Sequence, residues 1–344
     1  MPRNKLIVIF FLAVCGQGVA FEGRVQSPPN MVTGACHVSP IVSNLDRSAH
    51  FYRDIIGMDL VPASSPAPLP WDADPAHLTL HGLRKARLRF IDVRMPGVPC
   101  GVELMEFAGA GQRPVHRQLQ DPGTTMLILL VRDINAIFTR IKAANATVLT
   151  TGGAPILVGP SKTARAVIVQ DPDGHFIELA QLEPLPPTSA SAASNVIGIR
   201  LRITVPDVDK ATSFYRQTLG LDLKPGTFTK DESVMAMMGF PAAAEYRVAT
   251  AALPNSSLML EFIEFKGVGK TKTLVSRVQD SGSYRLQLNV QDIDAVLAAL
   301  NKATSRVISS GGVPVQMTFG SNSWRLAVAQ DPNNLFLVIQ QRLD

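Results

Sequence analysis

Two stretches of this chain line up without a gap. HVSPIVSNLDRSAHFYRDIIGMDL runs from His37 to Leu60, and RLRITVPDVDKATSFYRQTLGLDL runs from Arg200 to Leu223. The correspondence continues: VELMEFAGAG from Val102 answers LEFIEFKGVG from Leu260, and QDPDG from Gln170 answers QDPNN from Gln330. A repeat of this extent restricts the chain to two copies of one architecture, and 344 residues suit two domains. The Pro/Ser/Ala-rich stretch between Glu183 and Val196 lacks the periodicity of a helix or strand and reads as a linker.

Each copy contains a second, weaker repeat. A short β-like run leads into an Asp and a helix with apolar residues at helical spacing, followed by Gly and further β-like runs. In the first copy the expected elements are a strand at 37–42 and a helix at 45–56 ended by Gly57. The second half of that copy gives a strand at 126–131, a helix at 134–144, and strands at 147–149, 166–169 and 176–182. Each half therefore reads β-α-β-β-β, and the chain is four such units in an α+β fold.

Charge and composition exclude some classes. The formal charge is +5, and no Lys/Arg cluster interleaved with aromatics is present, so nucleic acid is not an expected partner. The N-terminus has a short basic start, an apolar run from Leu6 to Val14, and Gly18-Val19-Ala20, the layout of a secretory signal peptide cleaved after Ala20. Removal of Arg3 and Lys5 leaves +3. An uncleaved anchor or lipidation at Cys15 are the alternatives. The apolar run is short for a span, so the mature chain is expected to be exported, periplasmic or secreted, without a membrane span. The expected division is a signal peptide at 1–20, a flexible segment at 21–34, domains at 35–184 and 197–344, and a linker at 185–196. Oligomeric state is left open.

The motifs H-x5-N-L-x2-S-x2-FY-x4-G-M-x-L and Q-DPDG-x3-EL in the first copy, with VPDVDKA-x2-FY-x3-LGLDL and Q-DPNN in the second, resemble the vicinal oxygen chelate superfamily. Glyoxalase I, bleomycin-resistance proteins and extradiol dioxygenases belong to it. The resemblance implies two glyoxalase-like domains, each with curved mixed sheets whose two units form a cup. It also implies up to four metal ligands per cup, one from the first and one from the fourth strand of each unit. Carried onto this chain, those positions are His37, Glu103, Met126 and Glu178 in the first domain, and Arg200, Glu261, Arg285 and Val338 in the second.

The expected metal ligands are therefore His37, Glu103 and Glu178, a donor set suited to a divalent Mn, Fe, Ni, Zn or Mg ion, with Glu103 and Glu178 as candidate acid/base groups. Met126 is a poor ligand for such an ion. The wall around a small-molecule ligand would be Met105, Phe107, Ile128, Leu130, Phe176 and Ala180, although such residues also serve as core. Arg200 and Arg285, facing Glu261, would replace an ion or bind an anion in the second domain. Glu106 and Glu264 fall on the opposite strand face. The resemblance also places Cys36 and Cys100 on neighbouring strands, so an outer-face disulfide is expected in an exported protein.

The Pro-rich segment 62–83, with Trp71, His77 and His81, reads as a loop over the cup mouth rather than a helix. The segment 225–244, with Met235, Met237, Met238 and Phe240, reads as a mobile apolar cover. Two functions compete. One is a metal-dependent lyase or isomerase, favoured over a dioxygenase because the set lacks the two-His-one-carboxylate pattern. The other is a metal-free protein that sequesters a small or anionic ligand.

Overall fold

The fold is that of a computed structural model, in which residues 31–61, 69–98, 100–273 and 275–343 are described. The signal peptide, Cys15 and most of the segment 21–34 lie outside the described residues. Unit 1 comprises β1 (Val32–Val42), α1 (Leu45–His50), β2 (Asp59–Val61), α2 (Pro75–Leu80), β3 (Arg87–Arg94) and β4 (Gly101–Ala108). Unit 2 comprises β5 (Thr125–Val131), α3 (Ile134–Ala143), β6 (Ile156–Val158), β7 (Ala164–Gln170) and β8 (Phe176–Leu182). Unit 3 comprises β9 (Val196–Thr204), α4 (Val208–Leu219), β10 (Lys224–Pro225), α5 (Glu232–Met237), β11 (Glu245–Ala252) and β12 (Met259–Lys266). Unit 4 comprises β13 (Tyr284–Val290), α6 (Ile293–Lys302), β14 (Arg306–Val307), β15 (Val315–Phe319), β16 (Asn322–Gln330) and β17 (Phe336–Arg342).

The main helices start where side chains cap them. Asn44 accepts a hydrogen bond from the Arg47 amide, and Asp133, Asp207 and Asp292 do the same for α3, α4 and α6. The helix expected over 45–56 is interrupted in kind, not in path: α1 passes into a π-helical turn, Phe51–Ile56. Gly57, at φ 93°, ends it in the left-handed region that glycine enters without steric cost.

The sheets cross the sequence repeat. One has the order β14-β16-β17-β13-β1-β4-β3-β2, with β15 added on β16, so it joins unit 1 to unit 4. The other has the order β10-β11-β12-β9-β5-β8-β7-β6 and joins unit 2 to unit 3. The seams are antiparallel: Val38 pairs with Leu286 across β1–β13, and Ile128 with Arg200 across β5–β9. The expectation that the two units of one repeat close one cup is thus corrected. What the units of a repeat share is helix packing. Arg140 of α3 donates through Nε to the carbonyl of Ile55 at 2.7 Å. Apolar residues on the helix-facing sides of both sheets form one continuous core with the helices, including Val38, Leu104, Leu127, Ile177, Leu201, Leu260, Leu286 and Leu337.

Cys100 is a free, buried thiol. Its Sγ lies 3.2 Å from the Ala35 carbonyl oxygen and 3.0 Å from Ser256 Oγ. The expected disulfide is therefore not formed; the side chain of Cys36 lies outside the described ones. Among the described residues no helix is long and apolar enough to cross a membrane.

Candidate functional site

The polar face of the unit 1–unit 4 cup is built from alternating residues on four strands. Strand period two puts His37 and Ser39 of β1, Asp92 and Arg94 of β3, and Glu103 of β4 on its inner face, beside Arg285 and Gln287 of β13. Asp92 is the direct cross-strand partner of Glu103. His37, Asp92 and Glu103 each offer a ligand atom, all within 4.8 Å of one another, on partly buried side chains. Among the described residues Glu103 is held at one oxygen: Oε1 accepts from Ser39 Oγ at 3.1 Å, Gln287 Nε2 at 3.1 Å and Arg285 Nη2 at 2.8 Å. His37 Nδ1 lies 3.3 Å from Gln287 Oε1, and its Nε2 lies 3.2 Å from Arg94 Nη2 and 3.5 Å from Asp92 Oδ2.

The floor of this cup is closed from above by α2. That segment does form a helix, contrary to the expected loop, because Pro75 sits in its first turn and Asp74 caps the Ala76 amide. Its two histidines are not a metal pair. His77 pairs with Asp72, while His81 packs edge-on against Phe107 and takes a hydrogen bond from Arg285 at 2.5 Å. Burial, helped by the Arg285 charge, lowers the His81 pKa to about 3, so its ring is neutral. With Nδ1 donating to the His77 carbonyl oxygen at 2.8 Å, Nε2 is the acceptor for Arg285.

The unit 2–unit 3 cup has a different chemistry. Arg202 bridges two carboxylates: Nη1 reaches Glu178 at 2.8 Å, while Nε and Nη2 fork onto Glu261 at 2.9 and 2.8 Å. Arg200 adds a contact to Glu261 at 3.2 Å. Burial pushes the Glu178 carboxyl up, with Arg202 pulling part of the way back; for Glu261 the two arginines outweigh burial and hold it below the usual range. Above them α5 and its C-cap Met238 insert Met235, Met237 and Met238 into an apolar cluster with Met126, Ile128, Ile168 and Phe176. The segment expected to be a mobile cover is therefore a buried plug. Both carboxylates pair with guanidinium groups, and among the described residues the one cluster of three His or carboxylate donors is that of the first cup.

The site residues expected from sequence are split accordingly. His37 and Glu103 meet, as expected, but Glu178 lies in the other cup and is not their partner. Arg285 faces Glu103 and His81 rather than Glu261, while Arg200 does face Glu261. Met105 and Phe107 pack with Ile41 and Leu88 in the first cup; Ile128, Phe176, Ala180 and the half-buried Leu130 line the second. Val338 packs with Phe336 and Leu80 beneath α2. Sequence reasoning missed Asp92, Arg94, Gln287 and Arg202. For Asp92 the only signal was the alternation Phe90-x-Asp92-x-Arg94 in a strand lying next to Glu103. Glu106 and Glu264 do lie on the outer face. There each accepts from the first amide of a helix, Leu45 at 2.8 Å and Val208 at 2.9 Å, and from a strand arginine, Arg89 or Arg247. A surface cleft of about 590 Å³ lies away from both cups, and its Asp173 is already used by Ser43, Arg47 and Ser48.

Two curved mixed sheets of βαβββ units, each presenting a cup, define a glyoxalase-type fold. The sequence matches the Glyoxalase/Bleomycin resistance protein/Dioxygenase superfamily over residues 35–179 and 199–338, and the chain belongs to that family. Among solved structures, glyoxalase I from Zea mays is similar at 18% identity and a TM-score of 0.54, over 90% of this chain and 92% of that one. A glyoxalase family protein from Bacillus cereus is 20% identical over 45% of this chain and all of its own length, with a TM-score of 0.38. The Mn(II)-bound glyoxalase from Novosphingobium aromaticivorans is 13% identical over 91% of this chain and 83% of that one, with a TM-score of 0.28. No curated protein is similar enough in sequence to match.

Proposed function

We propose that the unit 1–unit 4 cup is the functional site, that His37, Asp92 and Glu103 hold a divalent cation there, and that a small oxygen-bearing substrate undergoes lyase or isomerase chemistry beside it. The observation that carries this reading is the convergence of one imidazole and two carboxylates within 4.8 Å. The donor chemistry fits: one nitrogen and two carboxylate oxygens suit a hard or borderline ion. The Glu103 hydrogen bonds above all fall on Oε1, which leaves Oε2 for a ligand role or for proton abstraction next to a carbonyl. A bound divalent ion supplies Lewis-acid polarisation of a substrate oxygen. Gln287 fixes the His37 ring from its far side, the arrangement that orients metal-binding imidazoles. One His and two carboxylates is not the two-His-one-carboxylate set of non-haem iron oxygenases, so isomerase or lyase chemistry ranks above oxygenation.

A second reading has its own observation. Asp92 and Glu103 are already neutralised by Arg94 and Arg285, at 2.7 and 2.8 Å. On that reading the cup takes a small ligand without metal and the protein sequesters it. The two are separated by metal analysis after reconstitution with Mn, Fe, Ni, Zn or Mg. The enzyme reading expects one ion per chain in the wild type and none in His37→Ala, together with solvent-deuterium exchange into small hydroxycarbonyl compounds by the wild type alone. Absence of metal from both proteins would leave sequestration as the account. Export, proposed from the basic start and apolar run before Ala20, is tested separately by N-terminal sequencing of the mature protein.

A further inference from the structure

We propose that Arg94 is a tethered cation that occupies the His37–Asp92 position in the metal-free protein and sets the affinity for a divalent ion by competing with it. The inference rests on the metal reading above and adds a residue that controls it. Arg94 Nη2 lies 2.7 Å from Asp92 Oδ2 and 3.2 Å from His37 Nε2, between two of the three candidate ligand atoms. A guanidinium has only donors. His37 Nε2 must therefore accept, and it does so with the lone pair a metal would need. The other ring nitrogen then carries the proton and donates to Gln287 Oε1 at 3.3 Å. The Gln287 amide nitrogen faces Glu103 Oε1, which fixes the amide's orientation and so the His37 tautomer. The imidazole is held ready for a cation, and the cation present is Arg94.

Three further observations mark this occupancy as displaceable. Arg94 Nε is buried without an acceptor, so the inward pose carries an uncompensated desolvation cost. The side chain is 36% exposed, an exit to solvent that Arg285, at 2%, does not have. Gly101 pairs with both His37 and Arg94, and a Cβ there would lie 2.8 Å from Arg94 Cγ. The missing side chain lets the Arg94 stem lie across β4 and reach the imidazole. The second cup shows the fixed counterpart: Arg202 is 14% exposed and uses all three nitrogens of its fork on two carboxylates.

The test is calorimetric titration of Mn(II) into the full chain and into Arg94→Met, which keeps the stem and removes the charge. Affinity is expected to rise at least tenfold in Arg94→Met at unchanged stoichiometry, and binding should vanish when His37→Ala is added to it. Should Arg94→Met fail to fold, Arg94→Gln carries the same expectation. If the wild type binds Mn(II) and the variant binds equally or more weakly, the competition falls while the metal reading stands. If neither protein binds Mn(II), both fall together.

Discussion

Tyr52 and Tyr215 belong to the duplicated FYR motif, and Asp171 and Asp331 to the duplicated QDP motif. The structure joins them. Tyr215 Oη donates to Asp331 Oδ2 at 2.9 Å, and Tyr52 Oη faces Asp171 Oδ2 at 3.5 Å. Asp331 Oδ1 also accepts from the amides of Asn333 and Leu335, both at 2.8 Å. Burial outweighs these bonds and raises the Asp331 pKa to about 6. A carboxyl whose folded pKa exceeds its unfolded one contributes stability in full below the unfolded value, near 3.9, and loses it as pH rises through 6. Urea unfolding of the wild type should therefore lose about 2 kcal/mol relative to Asp331→Asn between pH 4 and pH 7. A difference that does not change with pH would contradict this. Both motifs were legible in the sequence as repeated text, but their contact was not, because it joins residues more than a hundred positions apart. His37 and Glu103 were legible for a similar reason, as family positions. Asp92 was not, because an acidic residue on a middle strand acquires meaning only through its cross-strand neighbour.

At the scale of elements, the long helices and their strands followed from hydrophobic period. The short inserted helices did not. α2 and α5 each span six residues among prolines and glycines, too short for a periodic signal. Their stability comes from the cups they fill, a tertiary effect that propensity does not contain. Met235 is completely buried at the centre of the α5 plug. Met235→Ala should lower the unfolding free energy by about 2–5 kcal/mol through the cavity it leaves. Chemical denaturation measures this, and a loss under about 1 kcal/mol would mean the plug is not packed as described. The two plugs leave the cups unequally open: α5 closes the second over its paired charges, while the Arg94 end of the α2 cup stays open to solvent.

For the whole molecule the repeat misleads about which units share a sheet, and charge explains the crossing. Had units 1 and 2 shared a cup, Asp92, Glu103 and Glu178 would face Arg94 alone, and the other cup would set Arg200, Arg202 and Arg285 against Glu261. In the crossed arrangement each cup holds two carboxylates and two guanidinium groups. Unpaired buried charges cost several kcal/mol each, so the balanced pairing wins. The clue lay in the cup-facing positions of the second repeat, where Arg200, Arg202 and Arg285 stand against Glu261, but reading it required treating both repeats as one electrostatic system. The crossing also fixes which carboxylates can serve His37. Mn(II) binding followed by electron paramagnetic resonance, with Asp92→Asn and Glu178→Gln side by side, tests this most directly. One site per chain is expected, abolished by Asp92→Asn and retained in Glu178→Gln. Loss of the site in Glu178→Gln would contradict the crossed cup as the seat of function, and its survival in Asp92→Asn would contradict Asp92 as a ligand.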